Sequence, residues 1–218
     1  MGYEDRRMLM KRPRRDSGFT MIEMAVTMTI FAILVTVGVP SMSMWIRNNK
    51  VRTVSDSLQT GLRLAQAESL RRSRQVVFAL TDTPNARPVA AAADAKSWAI
   101  FSVPSMTDGS EQPEFIQSGV LSNLSSNVQV ISNGTAAICF NSVGRLTNNA
   151  SASVVLITGG ATCSQPTAVA PAIPMQKFNI SVPGGDRPLQ VNLGLGGQVH
   201  MCDPGVPLTD THPEGCPP

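Results

Sequence analysis

The sequence predicts an α+β chain: one long N-terminal helix, apolar first and amphipathic after, packed on a mostly antiparallel β-sheet head. Three observations predict it. Residues 24–46 form a run of 23 residues without a charge. Residues 51–69 place apolar or small side chains at three- and four-residue intervals, the spacing of a helical stripe. From Gln75 onward, short β-prone runs alternate with turn residues.

Composition narrows the function classes. The 218 residues are 42% apolar and 15% charged, too apolar for a disordered chain and poor in charge for a cytosolic enzyme. The net charge of +3 is confined to the N-terminus. Arg6, Arg7, Lys11, Arg12, Arg14 and Arg15 stand there against Glu4, Asp5 and Asp16. Past residue 18, basic and acidic residues are equal in number, which excludes a generally basic nucleic-acid binder.

The uncharged run Met24–Ile46 is long enough to cross a bilayer, which takes about 20 residues. Six Lys/Arg precede it and only Arg47, Lys50 and Arg52 follow closely, so the N-terminus is expected in the cytoplasm and the rest outside. A secretory signal would be cut after its apolar stretch at small residues. Gly38-Val39-Pro40-Ser41 suits that poorly because of its proline, and the small residue stands instead before the stretch, at Gly18. Glu23 lies just inside the apolar run, where a carboxylate costs ~2.5–3.5 kcal/mol on insertion scales, so taken alone it is either a functional position or near enough the interface to reach water.

Taken together, Arg14-Arg15-Asp16-Ser17-Gly18-Phe19-Thr20-Met21-Ile22-Glu23 resembles the type IV prepilin processing motif. The resemblance implies that residues 1–18 are a leader, cut by a prepilin peptidase between Gly18 and Phe19, with methylation of the new Phe19 amino group. It also implies an assembly role for Glu23, whose carboxylate can pair with the N-terminal ammonium of a neighbouring subunit. Pro40 fits the proline of the same family, and lacking an N–H it is expected to kink the helix.

Residues 19–46 are thus expected to be a transmembrane and filament-core helix, and 47–74 its amphipathic continuation. Val51, Val54, Leu58, Leu62, Ala65 and Ser69 form the buried stripe, and the helix is expected to end near Ser73. Arg71, Arg72 and Arg74 are then expected to meet its C-terminal dipole, the alternative being a binding patch. Residues 75–218 are the head. Its expected strands are Val76–Leu80, Trp98–Val103, Phe115–Leu121, Val128–Ile131, Ala136–Phe140, Val154–Thr158, Phe178–Val182, Leu189–Leu193 and Gln198–Met201. The stretches 85–96, 164–174 and 203–218 are expected to be loops or tail.

Cys139, Cys163, Cys202 and Cys216 all follow the apolar run, in a compartment expected to be oxidising. Four cysteines allow three pairings. Cys139–Cys163 is favoured as joining neighbouring sheet segments, and Cys202–Cys216 as tying the proline-rich tail to the last strand. No C-x-x-C or His-Cys cluster is present, so no metal is expected. The only histidines are His200 and His212, no G-x-S-x-G elbow occurs, and Gly194-Leu195-Gly196-Gly197 suits a hairpin turn better than a phosphate loop. No catalytic residue and no cofactor is expected; the different-class rival is a signal-anchored envelope binding protein or enzyme.

The head is similar to the GspH/FimT group of minor pilins and pseudopilins. Trp98, the run Ile138-Cys139-Phe140-Asn141-Ser142-Val143-Gly144-Arg145, and the ending Leu193–Cys202 followed by Asp203-Pro204 carry the likeness. The resemblance implies a minor type IV pilin that helps prime assembly at the pilus tip, or alternatively a pseudopilin of a type II secretion system. The implied partners are other minor and major pilins or pseudopilins and an inner-membrane assembly platform, with the head periplasmic. A FimT branch binds DNA through a C-terminal G-R-x-R. Here that stretch is Gly197-Gln198-Val199-His200, without either arginine, which disfavours a nucleic-acid partner.

Overall fold

The computed structural model describes residues 18–105, 110–121, 127–167 and 173–217. The expected leader, save Gly18, lies outside them. The chain divides into two compact units, Met1–Met42 and Ser43–Pro218.

In the first unit the described residues form the start of helix α1 (Met21–Arg72), with every described side chain exposed. The hydroxyls of Thr27, Thr29 and Thr36 donate to the carbonyls of Met24, Val26 and Ile33 at 3.0, 2.8 and 2.8 Å, so they satisfy themselves within an apolar stretch. The helical assignment is unbroken through residue 40. Among the described residues no helix is long and apolar enough to cross a membrane. Within the expected span the side chains of residues 37, 40 and 41, the expected kink residue Pro40 among them, lie outside the described ones.

The second unit is built on the amphipathic half of α1. Val51, Val54, Leu58, Leu62, Ala65 and Ser69 are all buried. The five apolar ones form one core with residues of two five-stranded sheets. Burying a leucine or valine side chain contributes roughly 1.5–3 kcal/mol, so this stripe is what docks the helix.

Sheet 1 runs β3-β2-β1-β5-β6, all antiparallel, from β1 (Val76–Thr81), β2 (Ser97–Ser102), β3 (Glu114–Val120), β5 (Ala137–Phe140) and β6 (Leu146–Thr147). Its central strand β1 is buried on both faces. Val76, Phe78 and Leu80 join the main core, whereas Val77 and Ala79 join a second one. This explains why Val76-Val77-Phe78-Ala79-Leu80 is apolar throughout instead of alternating.

The second core is closed by a short helix, α2 (Ala152–Thr158), where the sequence suggested a strand over Val154–Thr158. Val154 and Ile157 point inward from it, and Gly159 ends it in the left-handed conformation (φ 67°). Valine and isoleucine disfavour helix only slightly, and docking two of them on the sheet outweighs that preference.

Sheet 2 runs β10-β9-β8-β7-β4, from β4 (Gln129–Asn133), β7 (Met175–Ser181), β8 (Leu189–Gly194), β9 (Val199–Pro207) and β10 (Gly215–Cys216). Its pairs are antiparallel except β9 with β10, which is parallel. The stretch from residue 203, expected to be loop or tail, therefore contains the end of β9 and all of β10. Pro204 and Pro207 argued against a strand, but past Cys202 β9 no longer pairs with β8, and its prolines leave no ladder donor missing there. Asp203 N–H donates to Glu214 O at 2.8 Å and Leu208 N–H to Cys216 O at 3.1 Å.

Two disulfides are formed, Cys139–Cys163 and Cys202–Cys216. Cys163 is not in a strand but makes single bridges to Ala137 and Asn149.

Candidate functional site

The N-terminal segment organises around Thr20. Its Oγ1 accepts a hydrogen bond from Glu23 N–H at 3.2 Å and its carbonyl accepts one from Met24 N–H at 3.2 Å, which makes Thr20 the N-cap of α1. Thr20 and Glu23 are the ends of a T-x-x-E sequence, the signal of a capping box, and this cap was not anticipated. Gly18 and Phe19 precede the helix and are exposed. Glu23 is in the first turn, where a carboxylate also favours the positive end of the helix dipole.

In the head, the two stretches that suggested the family come together. Asn141 folds the first into a tight turn: its Oδ1 accepts from Val143 N–H at 3.1 Å and Arg145 N–H at 3.0 Å, and its own N–H donates to Arg145 O at 2.8 Å. The second stretch is the β8–β9 hairpin, closed by Gly194 N–H to Gln198 O at 2.9 Å. Leu146 N–H joins the two by donating to Leu195 O at 3.0 Å. From α1, Gln66 Nε2 donates to Gly144 O at 3.0 Å and Gly196 O at 3.4 Å. Gly197 is required here, because its φ is +87° and a Cβ would lie 2.1 Å from Gln66 Nε2. Nothing in the helical periodicity marked Gln66 for this role.

The arginines at the end of α1 are paired. Arg71 Nη2 and Arg72 Nε reach Glu68 Oε2 at 2.7 and 2.8 Å, Arg72 also pairs with Glu114, and Arg74 with Glu111. Hydrogen bonds from Arg71 and then Arg72 hold the Glu68 carboxyl down to about 2. The cluster is thus an ion-pair network across to β3 and the segment before it, where the sequence suggested a dipole contact or, alternatively, a binding patch. Gln198 and His200 are both exposed, and Arg145 and Arg187 stand on separate turns.

Two grooves flank β9. One of about 680 Å³ is lined by Trp45, Asn48, Arg52, Asp186, Arg187 and Glu214. The other, of about 640 Å³, has Asn192 and His200 against Met175, Leu195, Leu208 and Pro213. Among the described residues, no group of three or more His, Cys, Asp or Glu could hold a metal ion.

Residues 13–39 match the family model described as prokaryotic N-terminal methylation motif. Residues 54–170, more than half the chain, match the one described as type II transport protein GspH. The chain belongs to the GspH family. Together the two matches make it a subunit of the minor pilin and pseudopilin kind, a GspH-family protein processed by prepilin peptidase and assembling with other pilins. GspH-family proteins are structural subunits, not enzymes.

Among solved structures, the chain is similar to the type IV minor pilin FimU of Pseudomonas aeruginosa, with 14% identity, TM-score 0.45, and 70% of this chain and 88% of that one covered. It is also similar to the minor pseudopilin EpsH from the type 2 secretion system of Vibrio cholerae, with 11% identity, TM-score 0.44, and coverage of 72% and 99%. For E. coli GspH the values are 9%, 0.43, 72% and 91%. No curated protein matches the sequence.

Proposed function

We propose that this GspH-family subunit is a minor type IV pilin that primes pilus assembly at the tip. The observation that carries it is the N-terminal arrangement: an exposed Gly18–Phe19 bond, a Thr20-capped helix and Glu23 in the first turn. The precursor is inserted in the bacterial inner membrane by residues 19–46, N-terminus cytoplasmic and head periplasmic. A prepilin peptidase cuts before Phe19 and methylates its amine. The assembly platform then draws the apolar helix into the filament, where Glu23 pairs with a neighbouring Phe19 ammonium, replacing a lone carboxylate in lipid by a compensated pair. Pro40 supplies a kink. The head offers surfaces to partner pilins and performs no catalysis.

The type II secretion pseudopilus is the second reading, favoured by the family match itself. DNA uptake has less support, because Arg71, Arg72 and Arg74 are neutralised and Gln198 and His200 replace the arginines that would hold phosphates.

Pili sheared from cells lacking the gene decide between the first two: loss of pili restored by the intact gene supports the tip role, and normal pili with impaired protein secretion supports the pseudopilus. N-terminal mass analysis tests the processing step, which requires a mature chain beginning at methylated Phe19. Glu23→Ala should be cut normally yet be absent from sheared filaments.

A further inference from the structure

On the outer face of sheet 1, a groove of about 400 Å³ is lined by Arg87, Phe101, Pro113, Phe115, Leu156 and Ile157. Its walls are apolar. Phe101 and Phe115 meet edge to face at 5.7 Å, and Leu156 projects from α2 with 62% of its surface in water. Over the rings lies the Arg87 guanidinium carbon, 4.2 Å from the Phe115 centroid and 5.0 Å from that of Phe101. Its Nη1 donates to the carbonyls of Pro84 at 3.1 Å and Ala86 at 2.6 Å, which fixes the group from behind. Arg71, Arg72 and Arg74 each face a carboxylate; among the described residues Arg87 faces none.

Phe115 belongs to β3, the outermost strand of sheet 1, and among the described residues β3 pairs only with β2. Glu114–Val120 contains neither proline nor lysine; Glu114 and the bulge at Ile116, opposite Ile100, blunt its first half, so the stretch open to further pairing is Gln117–Val120. The groove and the outer edge of β3 are therefore contiguous through Phe115.

We propose that this edge and groove form one docking surface for an extended segment of a partner subunit, which adds to β3 and sets an aspartate or glutamate on Arg87. The proposal rests on the assembly role given above. Backbone pairing along an open edge supplies affinity and side-chain pockets supply specificity. The charge of the occupant follows from Arg87: a guanidinium held over two rings in an apolar groove presents its remaining N–H donors to a planar acceptor, and a carboxylate matches them with two charge-assisted hydrogen bonds. An apolar residue of the same segment covers Phe115 and Leu156.

The test uses the full processed chain in detergent and octapeptides alternating valine and threonine, with one aspartate walked through every position. A matched panel carries asparagine, and a third carries N-methylated alternate amides. At least one aspartate peptide should bind and shift the amide resonances of Ser118 and Val120, whose N–H groups face away from β2. Its asparagine counterpart should bind about tenfold more weakly, and Arg87→Gln should cost the same factor without adding to it. N-methylation should abolish binding, and Leu156→Ser should weaken it. Should Arg87→Gln fail to fold, Arg87→Lys, which keeps the charge but not the fork, should give an intermediate loss. Absence of any β3 shift, or equal affinity for aspartate and asparagine peptides, overturns the proposal. The pilin assignment fails separately: a chain processed to methylated Phe19 that binds no peptide removes only the docking surface, whereas peptide binding by a chain never cut at Gly18 removes only the assembly role.

Discussion

Gly119 lies against the Trp98 indole so closely that a Cβ on it would come within 2.4 Å of ring carbons Cε2 and Cζ2. From the other side Gly61 of α1 approaches the same ring, its would-be Cβ 2.9 Å from Cε2, and Phe78 stacks on it at 5.9 Å. Trp98 thus fills the space between helix, central strand and edge strand because two glycines make room for it. Gly119→Ala should destabilise the detergent-solubilised chain by ~1–3 kcal/mol, the range for overpacking. In a Trp98→Phe background the same change should cost less, and thermal unfolding of the four proteins measures that coupling.

Glu68 makes part of the stability depend on acid. Its carboxyl titrates at about 2 in the folded chain, below its ordinary 4.5, because Arg71 and Arg72 bind the charged form. A lowered folded value means the contribution is complete above the ordinary value and is lost as pH falls from 4.5 toward 2. The stability difference between the native chain and Glu68→Gln should accordingly shrink over that interval and vanish at its lower end, as urea midpoints at successive pH values would register.

Gln66 holds two turns at once, through Gly144 O and Gly196 O. Gln66→Ala leaves both carbonyls without that donor and should cost ~1–2 kcal/mol. Hydrogen exchange should speed up at Leu146 and Gly197, whose amides close the same turns, while amides of β1 stay protected.

The Cys202–Cys216 bond holds β10 beside β9, and the loop it closes is about the length for which cross-linking contributes roughly 3 kcal/mol. The double variant Cys202→Ser/Cys216→Ser should melt lower and loosen the already exposed segment around Leu208. Faster chymotrypsin cleavage there than in the native chain is the direct readout.

Much of this was legible in the sequence, for a physical reason. The stripe from Val51 to Ser69 was placed by its helical periodicity, and Val76–Leu80 by being apolar without a break, as a strand buried on both faces must be. Val154–Thr158 was not legible as helix by that route, because β-branched residues suit a strand equally well. Ser151 before it and Gly159-Gly160 after it were the better signal, being the punctuation of a short helix. The tail past Asp203 was obscured by its prolines, whose consequence depends on which neighbour a strand has, a property no local pattern carries. The meeting of Gln66 with two distant turns and of Arg87 with two phenylalanines is likewise tertiary, and only the fold brings those residues together.

The Thr20 cap stands on the mature side of the proposed cut, and both of its hydrogen bonds join residues that stay in the mature chain. Removing the leader therefore leaves the first turn of α1 already made. The proposed cut would ask no refolding of this turn, and it would set a charged amine one residue before the cap.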